Sequence, residues 1–327
     1  DKRSCNWHGD VYAINMSHPG AQAYYNNMFM TYTSWGVDYF KVDCIFAANY
    51  DPTEIAGIQR AISLAGSSGT QWSPIPPVLS LSPGDRATTA QATAIGPLSN
   101  SYRVTGDLWD CWTKQQEWDK EHLTGGRCIM FVANQQVAFQ DLIGVSSAGK
   151  RTWDDGRPSF PDMDMLPVGG FRLGNTQTKT LLNARNTRFA LIRWSIGQSP
   201  IILTGDLTWI TDTSVISTLS NKRIASMQQS IQKPRAIRWD NVTSATTSNI
   251  TGVGIWHAHH HQIVGAQYLA LFAYNTNVTD DESPQAAVKV TVTFKELGIN
   301  STASSTSPTA FDVEDLITGE LVPSLSN

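Results

Sequence analysis

The chain has 327 residues, of which 41% are hydrophobic and 16% charged. It can therefore bury a large core and still have room for a second, smaller domain. Lys plus Arg number 24 against 28 Asp plus Glu, a formal net charge of -4, and no basic cluster occurs, which argues against nucleic acid as a partner. No apolar run approaches the roughly 20 residues of a transmembrane helix, so we expect no membrane span.

Helical stretches and short apolar strands alternate from residue 20 to about residue 230. The stretch "GAQAYYNNMFMTYTSWG" predicts a helix that stops at Gly36, a natural C-terminal cap, and the strand "VDYFKVD" follows. A second helix is predicted at "DPTEIAGIQRAISLAG", with Asp51 as N-cap and Pro52 at its first position, before the strand "PPVLSLSPG".

Three further strands are predicted at "SYRVTGD", "SFPDMDML" and "SPIILTGD". A long helix, "TQTKTLLNARNTRFALIRWSIGQ", is predicted between the last two. Strands that alternate with helices indicate right-handed parallel β/α units, so the fold class is α/β.

Every one of these strands carries a polar residue at or just after its C-terminal end. The residues are Asp43, Ser82, Asp107, Asp164 and Asp206. In a closed β/α barrel these ends form the active face. Asp and Ser also follow strands as turn formers or N-caps, but that explanation is poor for every strand at once.

The pattern changes after about residue 231. The stretches "AIRWDN", "GVGIWHAHHH", "QYLALFAYN", "AVKVTVTF" and "AFDVEDLITGEL" predict short strands without intervening helices. We therefore expect a β/α domain over residues 1–231 and an antiparallel β-sandwich domain over residues 232–327.

Two aspartates at the tips of predicted strands match the needs of retaining glycoside hydrolysis. One carboxylate attacks the anomeric carbon and another protonates the leaving oxygen, with the two groups about 5 to 5.5 Å apart. Asp43 and Asp107 are the candidates. Lys41 shares a strand face with Asp43 because side chains alternate with period two, and its charge would keep that carboxylate ionised. Arg103 similarly precedes Asp107 by four residues.

The stretch "WGVDYFKVDC" resembles the nucleophile strand of family 27 glycoside hydrolases, the family of α-galactosidases and α-N-acetylgalactosaminidases. The resemblance implies that Asp43 is the nucleophile and Lys41 a substrate ligand. The stretch "YRVTGDLWDCW" is similar to the acid/base strand of that family, which implies Asp107 as acid/base and Arg103 as a sugar contact.

Other motifs of the family follow in the same order along the chain. "FPDMDML" is similar to its Asp-Pro-Asp-Met-Leu motif and implies Asp164 and Met165 as pocket residues, while "SPIILTGDL" and "NKRIASMQQ" resemble the last barrel strand and the closing helix. Where galactosidases carry bulky residues against the C2 substituent of the sugar, this chain has Ser82 and Gly84 or Asp85. Small residues there resemble relatives that tolerate an acetamido group, so galactose and N-acetylgalactosamine both stay open.

The first three strands of the family have no counterpart in this sequence. The resemblance therefore implies a (β/α)8 TIM barrel whose N-terminal strands are missing here. A barrel without these strands exposes long edges that invite aggregation. We expect the native protein to be longer, or a second chain or N-terminal fragment to complete the barrel.

The cysteines and glycosylation sequons point to a secreted or extracellular protein, with vacuole or lysosome as alternatives. The sequons lie at Asn15, Asn241, Asn249, Asn277 and Asn300. Family members tie the cysteine behind the nucleophile to a preceding loop, which implies a Cys5–Cys44 disulfide and leaves Cys111 to pair with Cys128. The alternative is four free, buried thiols.

The stretch "HAHHH" could suggest a metal site, because alternation places His257, His259 and His261 on one face of a strand. Cys or carboxylate ligands do not accompany them, so a solvated strand face or edge is the favoured interpretation. We expect neither a metal nor another cofactor. For Trp35 we expect core packing, whereas Trp109 and Trp112 could pack or stack on sugar.

These observations predict a retaining exo-glycosidase that removes terminal α-linked galactosyl or N-acetylgalactosaminyl residues from an oligosaccharide or glycoconjugate by double displacement. The alternative is a catalytically inactive structural or carbohydrate-binding glycoprotein with the same barrel. The retained acids argue against this alternative, because an unneeded buried carboxylate is costly.

Overall fold

The computed structural model of the protein describes residues 4–5, 8–46, 50–67, 77–82, 87–113, 127–145, 158–173, 176–241, 252–274, 290–293, 295–298 and 310–326. The described residues form two compact units. The first unit comprises Asp1–Leu108, Leu123–Arg127 and Val132–Asp164, and the second comprises Trp109–His122, Cys128–Phe131 and Met165–Asn327. Within the described ranges, no helix is long and apolar enough to cross a bilayer.

Helices and strands alternate through most of the first unit. In chain order they are β1 (Ser4–Cys5), β2 (His8–Tyr12), α1 (Ala21–Ser34), β3 (Tyr39–Val42), α2 (Pro52–Ser67), β4 (Val78–Leu81), α3 (Thr89–Ile95), β5 (Ser101–Arg103), α4 (Ile129–Ala138) and β6 (Phe160–Asp162). Helix α4 begins in the second unit and ends in the first.

The central feature of the first unit is a parallel sheet of β3, β4, β5 and β6, in that order. Its register pairs Lys41 with Ser80, Leu81 with Tyr102, and Arg103 with Asp162. Because all strands run the same way, their C-terminal ends share one edge of the sheet. This sheet and its helices confirm the α/β class, while the closed barrel stays a prediction.

Helix α2 shows how local sequence produces these elements. The Asp51 carboxylate accepts the N–H of Thr53 at 2.9 Å, and the helix begins at Pro52, as predicted. Ile55, Ile58 and Ile62 are at most 2% exposed. Burying such a stripe stabilises the helix by roughly 2 kcal/mol for each side chain.

The second unit begins with short strands and helices and continues into antiparallel sheets. Its elements are β7 (Leu166–Pro167), β8 (Gly170–Leu173), β9 (Thr176–Lys179), α5 (Ala184–Ile196), β10 (Leu203–Thr204), α6 (Thr213–Leu219), α7 (Lys222–Ser230), β11 (Ile231–Asn241), β12 (Gly252–His260), β13 (Gln267–Tyr274), β14 (Ala310–Glu314) and β15 (Leu321–Ser326).

The long helix predicted from residue 176 is wrong in its first part. Residues Thr176–Lys179 form β9, which pairs antiparallel with β8, and α5 starts only at Ala184. The threonines of β9 favour a strand. Asn183 then caps α5, since its side-chain oxygen accepts the N–H of Asn186 at 2.9 Å.

The predicted antiparallel strands of the C-terminal region are largely confirmed. Strands β11, β12 and β13 form one antiparallel sheet, and β14 pairs with β15. The strand predicted at "AVKVTVTF" is wrong for residues 290–293, which are not in a strand, and its other residues lie outside the described parts. A β-branched run forms a strand only where a neighbouring strand pairs with it. The sandwich packing and the boundary at residue 231 stay predictions.

Candidate active site

Strand β3 ends by exposing two charged side chains. Lys41 and Asp43 are both exposed, and the N–H of Ser82 donates to the carbonyl of Val42 between them at 2.8 Å. Ser82 itself is buried. The backbone pairing of β3 with β4 thus extends to the last residue before Asp43, which fixes the position of this carboxylate at the sheet edge.

The residue after Asp43 is held by a disulfide. Cys44 has a φ of 57°, in the left-handed region that residues with a Cβ rarely adopt. It is bonded to Cys5. The disulfide connects the tip of β3 to a distant part of the chain, so the backbone behind Asp43 is constrained from both sides.

A buried arginine joins two carboxylates at the end of β5. Arg103 is 4% exposed, its Nη1 lies 3.0 Å from Asp107 Oδ1, and its Nη2 lies 2.8 Å from Asp164 Oδ2. The N–H of Leu108 donates to the same Asp164 oxygen at 2.7 Å. The Asp107 side chain is 67% exposed. The buried Arg103 therefore orients the Asp107 carboxylate, while the rest of that side chain is open to solvent.

Sequence reasoning missed Asp162, the last residue of β6. Its side chain is buried, and its Oδ1 accepts the N–H of Asp164 at 2.7 Å. Burial, together with the nearby Asp164 carboxylate, raises the pKa of Asp162 to about 6, against the opposing effects of that hydrogen bond, Arg103 and Lys41. Asp162 precedes Asp164 by two residues in "FPDMDML", and period-two alternation was the available signal.

The structure brings most of the predicted site residues to one sheet edge. These residues are Lys41, Asp43, Ser82, Arg103, Asp107 and Asp164. Met165 is half-buried and belongs to the second unit. Gly84 and Asp85 lie outside the described residues. Asp206 is a helix cap, since its Oδ1 accepts the N–H of Thr208 at 3.0 Å.

Both expected disulfides are present, Cys5–Cys44 and Cys111–Cys128. Among the sequons, Asn15 lies in an exposed turn before α1. Asn241 ends β11. The remaining three, Asn249, Asn277 and Asn300, are outside the described residues. Glycosylation at all of these positions stays a prediction.

The interpretation of the histidine stretch as a solvated face or edge is wrong for His257. Strand β12 is central in its sheet, His257 is 0% exposed, and its Nε2 lies 3.0 Å from Gln267 Oε1. His261 lies beyond the end of β12. Within the described parts of the chain, no group of three or more His, Cys, Asp or Glu is arranged to hold a metal.

Two of the tryptophans differ in environment. Trp35 is 70% exposed, so its expected place in the core is wrong: it caps the end of α1, past the buried face of that helix. Trp112 is buried, with its ring 4.9 Å from that of Phe189. The Trp112 ring therefore packs against Phe189 in the interior of the second unit and is not open for stacking on a sugar.

Comparisons with known proteins identify the family of the chain. A family model described as alpha galactosidase A matches residues 8–230. An alpha-galactosidase A from Cellvibrio japonicus is 26% identical over 226 residues, 68% of this chain and 46% of that protein. An alpha-galactosidase from Schizosaccharomyces pombe is 24% identical over 64% of this chain and 44% of its own. The chain spans about half the length of the curated relatives it matches.

Solved structures extend the likeness to the whole chain. A family 27 β-L-arabinopyranosidase from Geobacillus stearothermophilus matches with a TM-score of 0.70 and 26% identity, covering 100% of this chain and 62% of that one. The alpha-galactosidase of Saccharomyces cerevisiae shares the fold, with a TM-score of 0.58, 18% identity and coverage of 88% and 58%. Since the family model covers well over half of the sequence, the chain belongs to the alpha galactosidase A family of glycoside hydrolases.

Proposed function

We propose that the protein is a retaining exo-glycosidase that releases terminal α-linked galactosyl or N-acetylgalactosaminyl residues. One observation carries the proposal: exposed Asp43 and exposed Asp107 follow strands of the same parallel sheet at the same edge. Parallel β/α enzymes place their catalytic groups at this edge. The family of the chain supports the same reaction class.

In the first step, the Asp43 carboxylate attacks the anomeric carbon while Asp107 donates its proton to the leaving oxygen. The bond to the leaving group breaks and a glycosyl ester with Asp43 forms. Asp107, now ionised, takes a proton from water as that water attacks the same carbon. This second step releases the sugar with retained configuration and regenerates both carboxyl groups.

The neighbouring cations have separate roles in this proposal. Lys41 carries three N–H donors and can donate to a sugar hydroxyl. Arg103 holds Asp107 through Nη1 while Asp164 holds Arg103 through Nη2. A guanidinium suits this position because its planar fork contacts two carboxylates at once.

A relative with a different sugar specificity widens the choice of substrate. The neighbour from Geobacillus stearothermophilus acts on β-L-arabinopyranosides, whose ring has the configuration of α-D-galactose without the C6 hydroxymethyl group. We therefore include arabinopyranoside as a second candidate substrate. Ser82 is proposed to line the sugar site.

The architecture and location are proposed on the same basis. The parallel strands are taken to belong to a (β/α)8 barrel, followed by a C-terminal antiparallel β-sandwich. Two disulfides favour an oxidising, extracellular compartment.

Kinetics with three p-nitrophenyl glycosides test the function: α-D-galactoside, α-N-acetylgalactosaminide and β-L-arabinopyranoside. We expect turnover of at least one by the wild type, none by Asp43→Asn, and covalent labelling of Asp43 by the matching 2-deoxy-2-fluoro sugar. Asp141→Asn removes an exposed carboxylate of the same unit and should leave turnover unchanged. A folded wild type that cleaves none of the three would favour the inactive, carbohydrate-binding alternative.

A further inference from the structure

A strained turn follows β6. Asp164 has a φ of 75°, in the left-handed region that is unfavourable for residues with a Cβ, although Asp tolerates it better than most. The Asp162 carboxylate accepts the N–H of Asp164 at 2.7 Å. This side-chain hydrogen bond to the backbone two residues on is the interaction that stabilises such turns. Asp162 therefore holds Asp164 in its unusual conformation.

The turn determines where the Asp164 carboxylate lies. From this backbone, Asp164 Oδ2 accepts the N–H of Leu108 at 2.7 Å and lies 2.8 Å from Arg103 Nη2. The other end of the guanidinium, Nη1, donates to Asp107 Oδ1 at 3.0 Å. A continuous series of contacts thus runs from buried Asp162 to exposed Asp107.

The charges around Asp162 agree with a role in holding this series of contacts. Asp164 in its own turn repels its ionised form, while Arg103 from β5 and Lys41 from β3 attract it. Asp162 is only 3% exposed, and a buried carboxylate is costly unless it is hydrogen-bonded. Its bond to the Asp164 N–H is such a compensation, and an ionised acceptor makes it stronger than a neutral one would.

We propose that Asp162 is a positioning residue for Asp107: it holds the Asp164 turn, through which Asp164 and Arg103 orient Asp107 toward the leaving oxygen. The inference rests on the proposed function, in which Asp107 is the acid/base. Asp162 contacts neither the sugar nor the reacting atoms in this scheme. Its loss should impair the protonation of the leaving group more than the attack by Asp43.

Two substrates separate these effects. 2,4-Dinitrophenyl α-galactoside needs little protonation of its leaving group, whereas methyl α-galactoside needs full assistance. We expect Asp162→Ala to lower kcat/KM for the methyl glycoside by about 10- to 100-fold, since general acid catalysis contributes at least that much. For the dinitrophenyl glycoside we expect a loss of less than about threefold. Asp162→Asn keeps an acceptor oxygen and should restore most of the loss.

A matched control is available in Asp110. This carboxylate is also buried and also accepts a backbone N–H, that of Leu181 at 2.8 Å. Asp110→Ala should change the rates of both substrates by the same factor, whatever its effect on stability. Circular dichroism and thermal unfolding establish that each variant is folded.

The outcomes distinguish the two levels of the proposal. If Asp162→Ala does not fold, Asp162→Asn is the deciding variant. A fall in kcat/KM of about two- to fivefold that is confined to the methyl glycoside supports the inference, because a neutral acceptor forms a weaker hydrogen bond. An equal loss on both substrates, or none, overturns the inference and leaves the proposed function intact. If the wild type turns over neither these galactosides nor the corresponding glycosides of N-acetylgalactosamine and L-arabinopyranose, both the inference and the proposed function are overturned.

Discussion

Two regions of the molecule bury an arginine, and they compensate its charge in different ways. At the sheet edge of the first unit, Arg103 lies between the carboxylates of Asp107 and Asp164. In the second unit, Arg193 of α5 lies over the ring of Trp256 at 3.8 Å and that of Trp239 at 5.1 Å. Burial lowers the pKa of Arg193 well below its ordinary value.

The difference indicates what each buried charge does. The contacts of Arg103 end on an exposed carboxylate, so its position can affect a substrate. Arg193 contacts the ring faces of Trp239 and Trp256, where cation–π attraction and packing stabilise the fold. We therefore expect Arg103 to affect activity and Arg193 to affect stability. Four changes test this contrast.

The largest expected effect is on the stability of the second unit. Arg193→Ala leaves a cavity beside the rings of Trp239 and Trp256 and removes their cation, which should cost about 4 kcal/mol of unfolding free energy. Chemical denaturation measures this. Arg188→Ala, at an exposed position of the same helix, should cost less than about 0.5 kcal/mol. A loss of kcat in folded Arg193→Ala would contradict the contrast.

The next effect concerns the pH dependence of stability at the sheet edge. The pKa of Asp162 is about 6 in the folded protein and about 3.9 in an unfolded chain. Because the folded pKa is raised, its stabilising contribution is present below pH 4 and is lost as pH rises to 6 and above. Relative to Asp162→Asn, the wild type should lose about 2 kcal/mol between pH 4 and pH 7. Parallel stability curves for the two proteins would contradict the buried position of this acid.

The third change tests whether the guanidinium of Arg103 must contact two carboxylates at once. In Arg103→Lys the charge is kept, but a single ammonium group cannot contact Asp107 and Asp164 with the same geometry. We expect kcat/KM to fall about 100-fold, since small misplacements of catalytic groups cost that much. Arg60→Lys, at an exposed arginine on α2, is the matched control and should behave as wild type. Steady-state kinetics decide between a role in the site and a role in packing.

The smallest expected effect lies in the second unit, where stability should be lost as pH falls and not as pH rises. Burial, with His259 and Arg235 nearby, lowers the pKa of His257 despite its bond to Gln267. Its contribution to stability is therefore present above the unfolded pKa of about 6.5 and is lost as pH falls. His257→Asn should flatten the loss of stability on acidification, by less than the Asp162 effect. Thermal unfolding from pH 7 to pH 4.5 measures it.

Much of the fold could be predicted because its signals are local. The cap of α2 at Asp51 and the strand over Tyr39–Val42 follow from residues within one turn or one strand. The hairpin of β8 and β9 was missed because a threonine-rich segment fits a helix or a strand until a partner strand is known. Trp35 was misplaced for a similar reason, since hydrophobicity alone does not determine which face of a helix end is covered.

The candidate site could be predicted only in part. The resemblance picked out Asp43, Asp107 and Arg103, and the structure places all three at one sheet edge. Asp162 was missed because its proposed positioning role depends on its burial and on its hydrogen bond to Asp164. The two-residue spacing to Asp164 was a signal, but spacing alone shows neither the burial nor the hydrogen bond.

The sequence by itself determined which side chains stand at strand ends, because alternation along a strand and capping at a helix end are set by near neighbours. Only the tertiary structure decided that Arg103 lies between Asp107 and an aspartate that is distant in the chain, and that Asp162 is withdrawn from water. Ion pairs and desolvation depend on distances through space and on what covers a group. Those quantities exist only once the strands have paired.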